Sequence, residues 1–189
     1  FDEVITGFGR LGTSFAAQYF DVIPDMIVCA KGLTSGTVPM GAVMVKNEIY
    51  DTYQGGDSKM IDLFHGYTYS AHPLAAAALI ATLEVYTEEG LFAQAAEMAP
   101  YWEDALHSLK GVDHVIDIRN LGFVGGIEMS SRNGEVGKRG YDVFENAFHE
   151  ENLLLRFTGD IIALSPPLIA EKHHVDKIMD SLRKIIPLH

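Results

Sequence analysis

Asp2 and Lys31 each stand at or just past the end of a short apolar run of strand length. A carboxylate can hold a heterocyclic ring nitrogen in its protonated form, and a lysine amine can condense with an aldehyde. The pair alone decides nothing. An aspartate at a strand end is most often a turn former or a helix cap, and a single lysine is most often a solvated surface charge. Arg156 lies in the apolar run 153–157, between Leu155 and Phe157. Burying a guanidinium unpaired is costly, so it needs a partner. Two kinds fit: a structural ion pair, such as with Asp160, or a ligand carboxylate received through the bidentate fork. Thr68 sits in a loop rich in Gly, Tyr and His, where a hydroxyl and a backbone N–H suit a phosphate oxygen or simply a turn. His72, just before Pro73, reads as a helix cap. His173 and His174 are adjacent on a helix, project about 100° apart and make a poor metal chelate; they read as a solvated face.

The elements that must position these residues follow from patterning. A short strand is expected over 1–5, closed by a loop with two glycines, and Thr13 or Ser14 is expected to cap a short helix ending at Phe20. The unbroken apolar run 26–30 predicts a strand covered on both faces, as in a parallel or mixed α/β sheet. A second such strand is expected over 41–46, a short helix over 48–53 and a polar loop over 55–59. Pro73 suits the first position of a long helix with a small-residue face, expected to be buried and ended by Gly90. Leu91, Ala95, Met98, Trp102, Leu106 and Leu109 recur at helical steps, and core packing accounts for that stripe. Beyond it, strands are expected over 115–119, 123–129, 153–157 and 161–164, and helices over 140–151 and 171–186. Without βαβ alternation this second part reads as a small α+β domain. The expected domains are 1–90 and 91–189.

With 189 residues, 48% of them apolar and 21% charged, the chain can form a sizeable core. A net charge of −12 argues against nucleic acid and anionic membranes as partners. A phosphate group would be held by local donors instead of a broad basic field. A single cysteine, Cys29, excludes an intrachain disulfide framework and fits a reducing compartment. No run approaches the length of a membrane span and no signal peptide is visible, so a cytoplasmic location is expected.

The strings Asp2-Glu3-Val4-Ile5-Thr6-Gly7-Phe8-Gly9-Arg10, Pro24-Asp25, Cys29-Ala30-Lys31-Gly32-Leu33 and Pro39-Met40-Gly41-Ala42 resemble the class III aminotransferases, pyridoxal-phosphate enzymes of fold type I. Phe64-His65-Gly66-Tyr67-Thr68-Tyr69-Ser70-Ala71-His72-Pro73 and Leu155-Arg156-Phe157-Thr158-Gly159-Asp160 look like the ω-amino acid:pyruvate branch. The resemblance runs in order over essentially the whole chain. It departs at Gly36-Thr37-Val38-Pro39, which lacks the double glycine of many members. The resemblance implies an α/β fold: the C-terminal part of a mixed-sheet large domain, followed by the small α+β domain. By the same resemblance Lys31 condenses with the cofactor and shuttles protons, a buried Asp2 pairs with its ring nitrogen, and Val4 packs on the ring face. Thr68 reaches the cofactor phosphate of the neighbouring subunit in a homodimer or homotetramer, and Arg156 binds the carboxylate of pyruvate. Glu3, on the opposite side of the strand, reads as a structural hydrogen-bonding residue. The implied reaction moves an amino group from an ω-amino acid or amine to pyruvate, giving alanine. The alternatives are an acetylornithine- or γ-aminobutyrate-type transaminase using 2-oxoglutarate, and a non-catalytic module of the same fold. The chain opens at Phe1 without Met, and the resemblance sets about half of the polypeptide before it, with the phosphate cradle and the ring-stacking aromatic. It is therefore expected to be the C-terminal portion of a longer enzyme, inactive alone.

Overall fold

The computed structural model describes residues 1–54 and 65–189; the loop expected over 55–59 lies outside the described residues. The chain divides into two compact units, Phe1–Phe8 with Thr13–Leu91, and Gly9–Gly12 with Phe92–His189.

In the first unit, β1 (Met26–Cys29) and β2 (Ala42–Val45) form an antiparallel ribbon with Met26 opposite Val45 and Cys29 opposite Ala42. The other edge of β1 receives a single parallel bridge, Asp2 to Val28. There the Val28 N–H donates to the Phe1 carbonyl (3.0 Å) and the Glu3 N–H to the Val28 carbonyl (2.7 Å). The strand expected over 1–5 is shortened to this bridge, because the chain turns at Val4. Glu3 explains the turn. Its fully buried carboxylate accepts the N–H groups of Ala16 (3.0 Å) and Ala17 (2.8 Å) and the Thr6 hydroxyl (2.5 Å), while its own carbonyl accepts the Gly7 N–H at 3.0 Å. The free N–H groups that begin helix α1 (Ala16–Tyr19) are thus capped from a distance, and the expected cap at Thr13 or Ser14 is not used. Phe15 is the capping position, and the Thr13 hydroxyl donates to the Phe15 carbonyl at 2.8 Å.

The expected double cover of β1 does not hold. Cys29 is buried, but Met26 and Val28 are exposed, as are Val43, Met44 and Val45 of β2. Among the described residues the main contacts of the two strands are with each other. Helix α2 (Asn47–Gln54) follows. Helix α3 (Pro73–Glu88) opens with Pro73, and the Nδ1 of His72 accepts the Leu74 N–H at 3.2 Å, the cap its position suggests. The burial expected of α3 is confined to Ala75 and Thr82, while Leu74, Ile80, Leu83 and Val85 are exposed. The reason is its short list of neighbours: among the described residues it packs chiefly on the 3-10 turn Lys31–Thr34.

In the second unit, β3 (Val115–Leu121), β4 (Val124–Met129), β5 (Arg156–Thr158) and β6 (Ile161–Leu164) form an antiparallel sheet in the order β3-β4-β6-β5. Helices α5 (Lys138–Glu151) and α6 (Lys172–Ile185) pack on each other, and α5 also lies against β5 and β6. The stripe on α4 (Leu91–His107) is core: Ala95, Trp102 and Leu106 are buried, as is Leu109 just beyond its end, and Trp102 meets Phe123 edge-on at 5.4 Å. Strand alternation buries Ile162 and Leu164, and helical periodicity buries Val175, Met179, Leu182 and Ile185. The strand expected from residue 153 begins only at Arg156.

Candidate active site

Lys31 owes its place to an abrupt change of backbone. β1 ends at Cys29, Ala30 is extended (φ −160°), and Lys31 then takes φ 44°, in the left-handed region, as the first residue of the 3-10 turn. For a residue with a Cβ that conformation costs roughly 1–2 kcal/mol, and it persists where surroundings over-determine it. Here the Gly36 N–H donates to the Lys31 carbonyl (3.2 Å), the Leu33 N–H to Ala30 (3.0 Å), the Thr34 hydroxyl to Val38 (2.6 Å) and the Tyr86 hydroxyl to Gly32 (2.7 Å). Gly32 is required by contact: a Cβ there would lie 2.8 Å from the Cβ of Phe8. The Lys31 side chain is exposed and makes no hydrogen bond or ion pair among the described residues.

Asp2 bridges to Val28, one residue before β1 ends, and Lys31 stands two residues after that end. Both therefore gather at the carboxyl end of one strand, where ligands bind in α/β sheets. Contrary to expectation Asp2 is exposed; its Oδ1 accepts the Val4 N–H at 3.0 Å. The single bridge leaves its outer side open. Val4 is half-buried and lies in a turn instead of a strand. Thr68 is exposed in the loop before α3, between left-handed Tyr67 (φ 47°) and Ala71 (φ 55°). That loop is held by the Ser70 N–H on Tyr67 (3.0 Å) and the His72 N–H on Tyr69 (3.2 Å). The Thr68 hydroxyl makes no hydrogen bond among the described residues, to Asp2 and Lys31 included.

Within the second unit, Arg156 opens the edge strand β5 opposite Ala163 and is exposed. Of the two partners the sequence left open for Arg156, the ion pair with Asp160 is not formed. The Asp160 carboxylate instead accepts the Ser131 hydroxyl (2.6 Å) and the N–H groups of Gly137 (2.8 Å) and Gly140 (3.0 Å), so it caps the start of α5. Burial works to raise its pKa, but those hydrogen bonds outweigh burial and hold it below the ordinary aspartate value. Arg156 has no hydrogen-bond or ion-pair partner among the described residues. Two residues matter here in roles that the sequence did not suggest, Tyr86 and Asp160. Each acts through a bond to a residue distant in sequence, and neither type nor spacing marks it.

The family model for class-III aminotransferases matches residues 1–186. The chain belongs to the class-III aminotransferase family. An omega-aminotransferase of Caulobacter vibrioides is 57% identical over 186 residues, covering 98% of this chain and 42% of the relative. A beta-alanine–pyruvate aminotransferase of Pseudomonas aeruginosa is 43% identical, covering 96% and 41%. Among solved structures, an omega-transaminase from Thermomicrobium roseum superposes with a TM-score of 0.88 at 34% identity, over 97% of this chain and 41% of that one. The class-III chain thus spans less than half the length of the relatives it matches, and its α/β architecture is part of fold type I. The donor set of this class-III chain suits pyridoxal phosphate. An amine and a loop hydroxyl without partners among the described residues, and a carboxylate with an open side, are of the kinds that suit an aldehyde, a phosphate oxygen and a ring N–H in turn.

Proposed function

We propose that this chain forms part of a pyridoxal-phosphate-dependent transaminase that moves an amino group from an ω-amino acid, such as β-alanine, or an amine to pyruvate. The observation that carries the reading is the Lys31 amine, without a partner among the described residues and set by a left-handed backbone just past the β1 end that Asp2 shares. When bound, pyridoxal phosphate supplies an aldehyde and an electron-accepting ring. Lys31 would hold the group covalently through Nζ; as a free amine, once the donor's amino group has taken its place, the same Nζ would take the proton from the amine-bearing carbon of the donor and, in the other half-reaction, give a proton to the former carbonyl carbon of pyruvate. Asp2 accepts the ring N–H through its carboxylate and keeps that nitrogen protonated. Val4 packs on the ring face. Thr68 donates to a phosphate oxygen of the neighbouring subunit, which makes the assembly a homodimer or homotetramer. Arg156 receives the carboxylate of pyruvate. Residues 1–90 serve as part of the cofactor-binding domain and 91–189 as the small domain, in an enzyme of the cytoplasm.

Support for pyruvate comes from relatives whose names carry it: the beta-alanine–pyruvate enzyme above, and an omega-amino acid–pyruvate aminotransferase of Pseudomonas putida, 41% identical over 98% of this chain. A probable gamma-aminobutyrate transaminase of Oryza sativa is more distant, at 36% identity. The test uses the full-length protein that contains this chain. Borohydride reduction with pyridoxal phosphate, followed by peptide mapping, should find the pyridoxyl group on Lys31. β-Alanine with pyruvate should yield alanine faster than β-alanine with 2-oxoglutarate yields glutamate. A label on another lysine, or a preference for 2-oxoglutarate, would sink the reading.

A further inference from the structure

We infer that Tyr86 is a positioning residue for Lys31, acting through a hydroxyl that holds the turn in which the lysine stands. The inference rests on the reading of Lys31 given above. Lys31 and Phe8 are both non-glycine residues in the left-handed region, with φ 44° and 61°. They come together at Gly32, which follows Lys31 and lies so close to Phe8 that a Cβ on it would touch the Phe8 side chain. Tyr86 closes this contact from the last turns of α3. Its ring stacks on the Phe8 ring, with centroids 6.1 Å and planes 22° apart, and its hydroxyl donates to the Gly32 carbonyl at 2.7 Å. One side chain therefore braces both strained residues.

A left-handed residue relaxes by rotating its peptide unless something opposes the rotation. Relaxation at Lys31 would swing the Gly32 unit, and with it the carbonyl that Tyr86 holds. Tyr86 is thus assigned no contact with reacting atoms. It sets where Nζ stands, and proton transfer is sensitive to displacements on the order of 1 Å. Substrate binding uses other groups, so the effect belongs in kcat and not in KM.

Tyr86→Phe keeps the ring on Phe8 and removes only the hydroxyl. In the full-length protein without cofactor, amide exchange at residues 33–36 should accelerate while the Tm stays close to wild type. In the loaded enzyme, kcat should fall about two- to tenfold, the worth of one neutral hydrogen bond, with KM for β-alanine and pyruvate unchanged. Tyr86→Leu, which also removes the stack, should accelerate exchange further. Wild-type exchange at 33–36, or faster exchange with wild-type kcat, overturns the inference. Borohydride mapping of wild type separates this from failure of the Lys31 reading: a label on Lys31 with an inert Tyr86→Phe variant leaves the function standing and removes Tyr86 from it.

Discussion

In the function proposed, the Lys31 amine and the Arg156 guanidinium, both without a partner among the described residues, divide the chemistry between them. Lys31→Ala in the full-length enzyme should abolish transamination and the borohydride-stable label together, because the covalent link and the proton carrier are the same nitrogen. Near-normal turnover would remove Lys31 from the mechanism. Arg156 makes a graded prediction. Pyruvate carries its carboxylate on the reacting carbon and β-alanine carries it one carbon further off, so one rigid clamp cannot serve both equally. Arg156→Ala should damage the pyruvate half-reaction most, β-alanine next and a carboxylate-free amine least. A hydrogen bond to a charged group is worth roughly 1.5–3 kcal/mol, or about ten- to a hundredfold in kcat/KM. Equal losses for all three, measured as separate half-reactions, would make Arg156 structural. The residue types were legible in the sequence, but their surroundings were not. Asp2 is exposed instead of buried, and Asp160 is committed to α5 instead of to Arg156.

Elements here are stitched by carboxylates that reach across sequence. Glu3 ties the loop after the β1 bridge to the start of α1 through Ala16 and Ala17, so Glu3→Ala should destabilise the full-length protein by about 1.5–3 kcal/mol, read by denaturant titration. Asp160 ties α5 to the turn between β5 and β6. Its pKa, like that of Asp142 beside Lys138, with Arg132 as its second partner, lies below the ordinary value. A depressed carboxylate contributes stability above its unfolded pKa and loses it as the pH falls through the folded one. Acid unfolding followed by circular dichroism should therefore set in below about pH 4. Asp160→Asn should lower stability at neutral pH and flatten that acid limb. An unchanged limb would show that the bonds to Gly137 and Gly140 carry little. Periodicity exposed α4, α6 and β6, because their burial repeats with the backbone's own period. The strand expected over 1–5 failed because bonds thirteen and fourteen residues away turn the chain at Val4.

At the scale of the molecule, the first unit leaves a great deal of apolar surface open: Ile23, Val43, Leu74 and Ile80 are all more than half exposed. No helix among the described residues is long and apolar enough to cross a membrane, and the relatives are more than twice as long as this chain. Produced by itself, the chain should self-associate through these faces despite its net charge of −12. Light scattering across a concentration series should show mass rising with concentration, and a monodisperse monomer would contradict this. The apolar runs were legible, but what covers them was not, because cover is a property of neighbours and the strand code reads only the strand. Arg156 stands apart from all such dependencies. On an edge strand, exposed and unpartnered among the described residues, it supports nothing around it, so exchanging it should leave the Tm where it was. With the role proposed for Arg156, choice of substrate is uncoupled from foldability at this position, and a descendant enzyme could change its diet there without relearning how to fold.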